Sequence, residues 1–249
     1  MTSAPTVLDL NADLGEGVGD DEAMLALVTS ANVACGGHAG DATTMRSVCA
    51  RAAEQGVRIG AHPSYADRAG FGRSRQEVPE QELTAELLAQ VSDLIEAASA
   101  VGTTVVYLKP HGALYHAAAR EQGPAQAVAS VAARTGLPVL GPPGALFLHL
   151  AQSSGLEVFS EGFADRGYTA DGALVPRGQD GDVLIDTDEI ATRISALART
   201  GEIAAVDGSP VPLAVRTLCV HGDTPHAVAI ARRVREALVA VGLTPRAFA

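Results

Sequence analysis

Carboxylate, ammonium and imidazole side chains recur in this sequence at one kind of place, directly after a short apolar run. Val105-Val106-Tyr107-Leu108 leads into Lys109-Pro110-His111. In the same way Asn11 and Asp13 follow Leu10, His38 follows Ala31 to Ala34, and His62 follows Val57 to Ala61. Glu161, Asp165 and Arg166 follow Glu157 to Ser160, and His221 and Asp223 follow Thr217 to Val220. Imidazole and carboxylate serve either as ligands of a divalent metal or as general acids and bases near neutral pH. Asp13, His62 and His111 are the best metal set, although no HxxxH or HExxH spacing supports it. The competing reading is a metal-free pocket in which these groups bind a polar substrate.

Lys109 is the chain's single lysine; every other basic side chain among the 18 is arginine. Keeping one lysine at a strand end points to work for a compact ammonium that a guanidinium cannot do. The alternative is simple pairing with a buried carboxylate. Cys35 is either a nucleophile activated by His38 or a small buried residue beside a glycine turn, and the second is favoured. Ser64 lacks a GxSxG elbow, and the chain has neither a GxxxxGK[ST] loop nor a GxGxxG after a strand.

These side chains need strands that end together. The run Val105 to Leu108 is β-favouring and Pro110 stops its ladder, so the chemistry sits at the strand's carboxyl end. Further strands are expected at Val7 to Leu10, Ala31 to Ala34, Val57 to Ala61, Pro138 to Leu140, Glu157 to Ser160 and Thr217 to Val220. Helices are expected at Glu22 to Val28, at Ala42 to Gln55 with Asp41 as N-cap, and from Pro79 to before Gly102. In the last of these Leu83, Leu87, Val91, Leu94 and Ala98 form one apolar stripe. Others cover Pro124 to Arg134, broken from its predecessor by Gly123-Pro124, and Ala145 to Ser153. Ile190, Ile194 and Leu197 mark one more, and Thr224 caps a last helix ending at Val241. Asp171-Gly172 and Asp207-Gly208 are hairpin signals between apolar runs. The pattern predicts an α/β fold, one β/α barrel-like domain over residues 1–249, with about seven parallel strands and small β-hairpin insertions. Among the other histidines, His116 reads as a solvent-facing helix residue, His149 as semi-buried and His226 as a surface group.

Composition narrows the class. Hydrophobic residues make up 47% and aromatics 4%, so the core is aliphatic, as suits helices on a parallel sheet. A net charge of −11 without any basic run argues against nucleic acid and anionic membranes as partners. Three unpaired cysteines, an N-terminus from Met1 to Thr6 without a signal pattern and no apolar run near roughly 18 residues predict a cytoplasmic protein.

Six stretches together resemble the signature loops of the LamB/YcsF family. They are Leu10 to Glu16, Asn32 to Asp41, Gly60 to Tyr65, Lys109 to Tyr115, Glu161 to Tyr168 and Val220 to Asp223. The resemblance spans essentially the whole chain, with one departure at Gly37, where a bulkier, often aromatic, residue is expected; a looser loop around His38 should follow. The resemblance implies a distorted TIM-type barrel related to carbohydrate deacetylases. It implies the A subunit of an ATP-dependent 5-oxoprolinase, acting with two companion subunits similar to the halves of allophanate hydrolase. The implied catalytic residues are Asp13, His62, Lys109 and His111. Asn11, His38, Tyr65, Arg68, Glu161, Arg166, His221 and Asp223 would bind substrate. ATP is then a cosubstrate handled through the complex, and a divalent metal is compatible with the pocket. Open alternatives are a stand-alone metal-dependent deacetylase or amidase, and a non-catalytic 5-oxoproline-binding subunit.

Overall fold

Strand β1 (Asp9–Leu14) carries the organising pattern. Its residues alternate, Leu10, Ala12 and Leu14 on one face and Asp9, Asn11 and Asp13 on the other, and all six are buried. In a barrel wrapped by helices both faces of a strand are covered, so the second face is a polar interior. The computed structural model describes residues 8–249. The strand start expected at Val7 and the N-terminal reading of Met1 to Thr6 lie outside those residues.

The chain continues through α1 (Asp21–Leu25), β2 (Ser30–Ala34), α2 (Ala42–Gln55), β3 (Arg58–His62), α3 (Glu80–Ala100) and β4 (Val105–Leu108). Then come α4 (Gly112–Arg120), α5 (Gln122–Thr135), β5 (Val139–Gly141), α6 (Leu146–Ser153) and β6 (Val158–Phe163). After β6 follow α7 (Thr187–Thr200), β7 (Glu202–Ala204), β8 (Pro210–Pro212), β9 (Thr217–Val220) and α8 (Ala227–Ala240). Seven strands close into a parallel barrel in the order β1, β2, β3, β4, β5, β6, β9. The β6–β9 pairing, Glu161 with Thr217 and Phe163 with Cys219, joins the ends.

Local chemistry accounts for most boundaries. Asp41 accepts from the amides of Thr43 and Thr44 to start α2, and Gly56 at φ 69 ends it. In α3 the side chains of Leu83, Leu87, Val91, Leu94 and Ala98 are all buried, as the stripe requires. Each large aliphatic group so buried contributes roughly 1.5–3 kcal/mol. The Asp207-Gly208 signal falls in the turn of the antiparallel β7–β8 hairpin, and Asp171-Gly172 in a turn closed by the Tyr168–Leu174 bridge.

Four expectations need correction. The first strand runs to Leu14, so Asn11 and Asp13 are strand residues rather than loop residues. The break between α4 and α5 falls at Glu121; Gly123 and Pro124 sit in the first turn of α5, where the missing proline N–H costs nothing. Thr224 does not cap α8, because its hydroxyl donates to Asp165 Oδ2 at 2.8 Å and His226, at φ 64, takes the cap position. His149 is exposed rather than semi-buried.

Candidate active site

The barrel interior is a directed hydrogen-bond chain. Tyr107 Oη donates to Asn32 Oδ1 at 2.6 Å, and Asn32 Nδ2 donates to Asn11 Oδ1 at 2.7 Å and to Asp13 Oδ1 at 2.8 Å. Asn11 Nδ2 donates to Thr217 Oγ1 at 2.7 Å, and the Thr217 hydroxyl donates to Asp9 Oδ2. Thr29 and Ser30 hydroxyls donate to Asp9 Oδ1 at 2.6 and 2.7 Å. Burial outweighs these bonds and raises the Asp9 pKa to about 6.

Above this chain sits Lys109, the residue after β4, 2% exposed. Its Nζ lies 3.2 Å from Asp13 Oδ1, 3.4 Å from Asn11 Oδ1 and 3.2 Å from Cys219 Sγ. Burial works against the ammonium, but the Asp13 carboxylate beside it holds the pKa well above that of a free lysine. Asp13 in turn stays well below the ordinary carboxylate range: burial opposes ionisation, and His62 and Lys109 outweigh it. Glu161 Oε2 stands 3.1 Å from Lys109 Nζ as a second carboxylate partner of the ammonium. Among the described residues, both Glu161 oxygens and the Tyr115 hydroxyl are buried without a hydrogen-bond partner.

Beside Lys109 three imidazoles crowd together. His38 and His111 stack with centroids 3.7 Å apart, and His62 meets both edge-on. His62 Nε2 is 3.0 Å from His111 Nδ1 and 3.4 Å from Asp13 Oδ2. Burial first, then the neighbouring imidazoles, drive His111 far below its usual pKa. Burial and His62 take His38 down to about 3. Glu16, after the Gly15 turn at φ 74, reaches into this cluster, 3.0 Å from His38 Nε2. Burial, with the Asp13 charge adding, pushes its pKa up to about 8.

A cavity of about 490 Å³ opens over these groups at the carboxyl ends of the strands. Asp13, His62, Lys109, His111, Arg166 and His221 line it. His221 is fixed by Asp165, whose oxygens lie 3.0 and 3.2 Å from Nδ1, and stacks on Phe163. Asn11, His38 and Glu161 stand one layer behind the lining, and Asp223 pairs with the rim residue Arg73. Tyr65 and Arg68 stay outside. Tyr65 is a buried core side chain, and the Arg68 guanidinium donates to the Gly36 and Gly40 carbonyls, 2.8 to 2.9 Å away. Arg166 lines the cavity with two donors already given to the Asp182 and Val175 carbonyls at 2.7 Å. Cys35 is 1% exposed, accepts from the His62 amide and has its pKa raised by burial, which leaves it a packed thiol.

Some site residues lie beyond what the sequence pattern marks. Glu16 falls inside the first signature stretch but outside the expected site; its signal is an acid just past a glycine turn at a strand end. Cys219 follows Thr217 at the strand period of two, which aims it inward. Arg73, Arg120 and Arg177 line the mouth with Arg166, and no local pattern marks them. His116 is exposed as expected, but at this mouth rather than on an outer face. The metal set shifts as well: the side chains that converge within 4.8 Å are those of Glu16, His38, His62 and His111, while Asp13 groups with Cys219 and His221. Such nitrogen-rich convergence is compatible with a divalent metal. Around Gly37 the loop is not loose, because a Cβ there would stand 2.5 Å from both Gln90 Oε1 and Ser64 Oγ. Those side chains fill the space and hold His38 through Ser64.

Known proteins align with this chain over nearly its full length. The chain is 54% identical over 250 residues to the A subunit of a 5-oxoprolinase from Streptomyces avermitilis, covering 98% of this chain and 100% of that one. The crystal structure of the lactam utilization protein from Thermus thermophilus superposes with a TM-score of 0.92 at 37% identity, covering 97% and 100%. A family 4 carbohydrate esterase from Streptomyces lividans shares the fold alone, with a TM-score of 0.52 at 13% identity over 99% and 95%. Since the sequence model of the LamB/YcsF family also matches residues 8–249, the whole described barrel and every strand-end loop in it, the chain belongs to the LamB/YcsF family.

Proposed function

We propose that this chain is the A subunit of an ATP-dependent 5-oxoprolinase and opens the lactam ring of 5-oxoproline to give glutamate. The observation that carries the chemistry is the buried Lys109 ammonium at the floor of a small-molecule cavity, flanked by Asp13, His62 and His111. The substrate class is supported by the likeness to the Streptomyces 5-oxoprolinase chain.

A five-membered lactam is an unactivated amide. Its opening is helped when the amide oxygen is first phosphorylated, at the expense of ATP, so that water attacks an activated carbon. With no phosphate loop in the sequence, that activation belongs to two companion subunits and the ring opening to this cavity. Asp13 lines the cavity with Oδ2 3.4 Å from His62 Nε2, and its carboxylate accepts the proton of the attacking water. Lys109 meets the oxygen that gains charge. Arg166 sits at the wall, where a guanidinium matches the substrate carboxylate. The four mouth arginines favour an anionic substrate in a chain that is otherwise acidic. A divalent metal, held by the imidazole cluster, would supply electrophilic assistance at the same floor.

The test is glutamate release from 5-oxoproline by the chain alone and with its two companions, each with and without ATP. Release only from the three proteins with ATP is the expected result. Hydrolysis of amides or acetyl groups by the chain alone would replace this reading with a stand-alone deacetylase or amidase. Tight ATP binding by the isolated chain would move the activation step into it.

A further inference from the structure

The three imidazoles at the cavity floor are each anchored by the ring nitrogen that points away from their common centre. His62 Nδ1 lies 2.8 Å from the Lys109 carbonyl oxygen, and His111 Nε2 lies 3.0 Å from the Phe71 carbonyl oxygen. A carbonyl only accepts, so both outer nitrogens carry the proton. His38 Nδ1 lies 3.0 Å from Ser64 Oγ, whose own proton goes to the Tyr65 carbonyl at 2.8 Å. His38 Nδ1 is therefore a donor too. In neutral rings this assigns a lone pair to His62 Nε2, His111 Nδ1 and His38 Nε2.

Those lone pairs crowd together beside the Glu16 carboxyl group, His62 edge-on to both other rings and His38 stacked on His111. His111 Nδ1 is 3.0 Å from His62 Nε2 and 3.4 Å from Glu16 Oε1, and Glu16 Oε1 is 3.0 Å from His38 Nε2. Acceptor against acceptor is repulsive when no proton lies between them. A proton on His62 Nε2 relieves the first contact, and the proton that Glu16 keeps, with its pKa pushed up to about 8, relieves its contact with His38; a bound ion would displace both. A single cation among the four atoms relieves them all. Two ligands each about 2.1 Å from a zinc ion stand about 3.4 Å apart across a tetrahedral angle, close to the 3.0 to 3.4 Å found here.

We infer that Glu16, His38, His62 and His111 form a site for a first-row divalent transition metal. Three imidazoles and one carboxylate suit zinc, cobalt or nickel better than magnesium or calcium. Outer anchoring of the rings by Lys109, Phe71 and Ser64 is the support that orients metal-bound imidazole. Asp13 stays outside this set: Oδ1 is held by Lys109 and Asn32, and Oδ2 lies 3.4 Å from His62 Nε2. The inference stands apart from the lactam reading, since it concerns ion binding by the isolated chain.

The experiment strips the full chain of metal and titrates it with zinc against a chromophoric chelator. Bound metal after desalting is counted by mass spectrometry, and cobalt is followed by its visible absorption. One ion per chain is expected, with intense cobalt bands of a low-coordinate nitrogen site. Glu16→Gln and His38→Ala should each weaken zinc binding on the order of 100-fold, and Ser64→Ala about 10-fold. Asp13→Asn should keep the ion. Circular dichroism checks that each variant is folded, and Glu16→Gln, being isosteric, carries the test should His38→Ala unfold. Two results would overturn the inference. One is a wild-type chain that retains no zinc or cobalt. The other is retention lost in Cys219→Ser and His221→Ala but kept in Glu16→Gln, which assigns the ion to the group around Asp13.

Discussion

The lower and upper halves of the barrel interior use similar residues to opposite ends. Below, Asp9, Asn11, Asn32, Tyr107 and Thr217 form a chain in which each donor meets an acceptor. Above, among the described residues, Glu161 meets Lys109 as an ion pair at 3.1 Å without a hydrogen bond, the Tyr115 hydroxyl lacks one too, and three imidazoles crowd the Glu16 carboxyl group. A satisfied buried network stabilises and specifies a fold, whereas an unsatisfied one costs free energy unless a ligand completes it. The difference separates scaffold from site within one continuous column. It also says which substitutions should act on stability and which on turnover.

The largest effect is expected in the upper half. Lys109→Arg keeps the charge and loses the compact ammonium between Asp13 and Glu161. Glutamate release by the assembled enzyme should fall by about 10²–10³-fold, the scale of losing one stabilising donor at a developing oxyanion. The fold should survive, read by thermal melting. An active Lys109→Arg enzyme would make the upper half a structural ion pair and erase the contrast. Next comes the lower half. A Cβ at Gly60 would lie 2.1 Å from the Tyr107 ring, and strand pairing on both sides leaves β3 no room to move. Gly60→Ala should cost about 3 kcal/mol in denaturant unfolding. Turnover per folded molecule should change little, and an equal loss of both would merge the two halves into one unit.

How far this division was legible in the sequence differs between particular residues. Asp13, His62, Lys109 and His111 are legible as residues of one cavity because each closes or follows an apolar run, and the barrel brings those ends together. The extent of β1 is not, since apolar patterning ends a strand where polar residues begin, and here they continue inward to meet Asn32 and Thr217. Barrel closure is a long-range property that gives such residues partners no local window contains. Arg68 and Tyr65 share motifs with site residues but point elsewhere, because loop direction depends on tertiary contacts such as the Gly36 and Gly40 carbonyls. Arg120 and Arg177 reach the mouth from a helix end and a loop, and only the folded chain sets them beside Arg166.

The smallest expected effect tests the comparison through pH. Asp9 has a folded pKa of about 6 against 3.8 for a free carboxyl, so between about pH 4 and 6 the native state binds more protons than the unfolded chain. Stability from this group therefore falls as pH rises across that window. His38 has a folded pKa of about 3 against 6.5, so the unfolded chain binds the extra proton and stability falls as pH drops below about 6.5. Lower and upper halves thus tilt the stability curve in opposite directions over the same interval and offset each other in the native chain. Asp9→Asn removes one of the two slopes. Thr217 loses a carboxylate acceptor in the variant, a loss that does not depend on pH. The variant's stability relative to the native chain should then rise by roughly 1–3 kcal/mol from pH 4 to 6.5 and level off above. A flat difference would mean that Asp9 ionises like an exposed carboxylate, and the two halves would no longer tilt the stability curve in opposite directions.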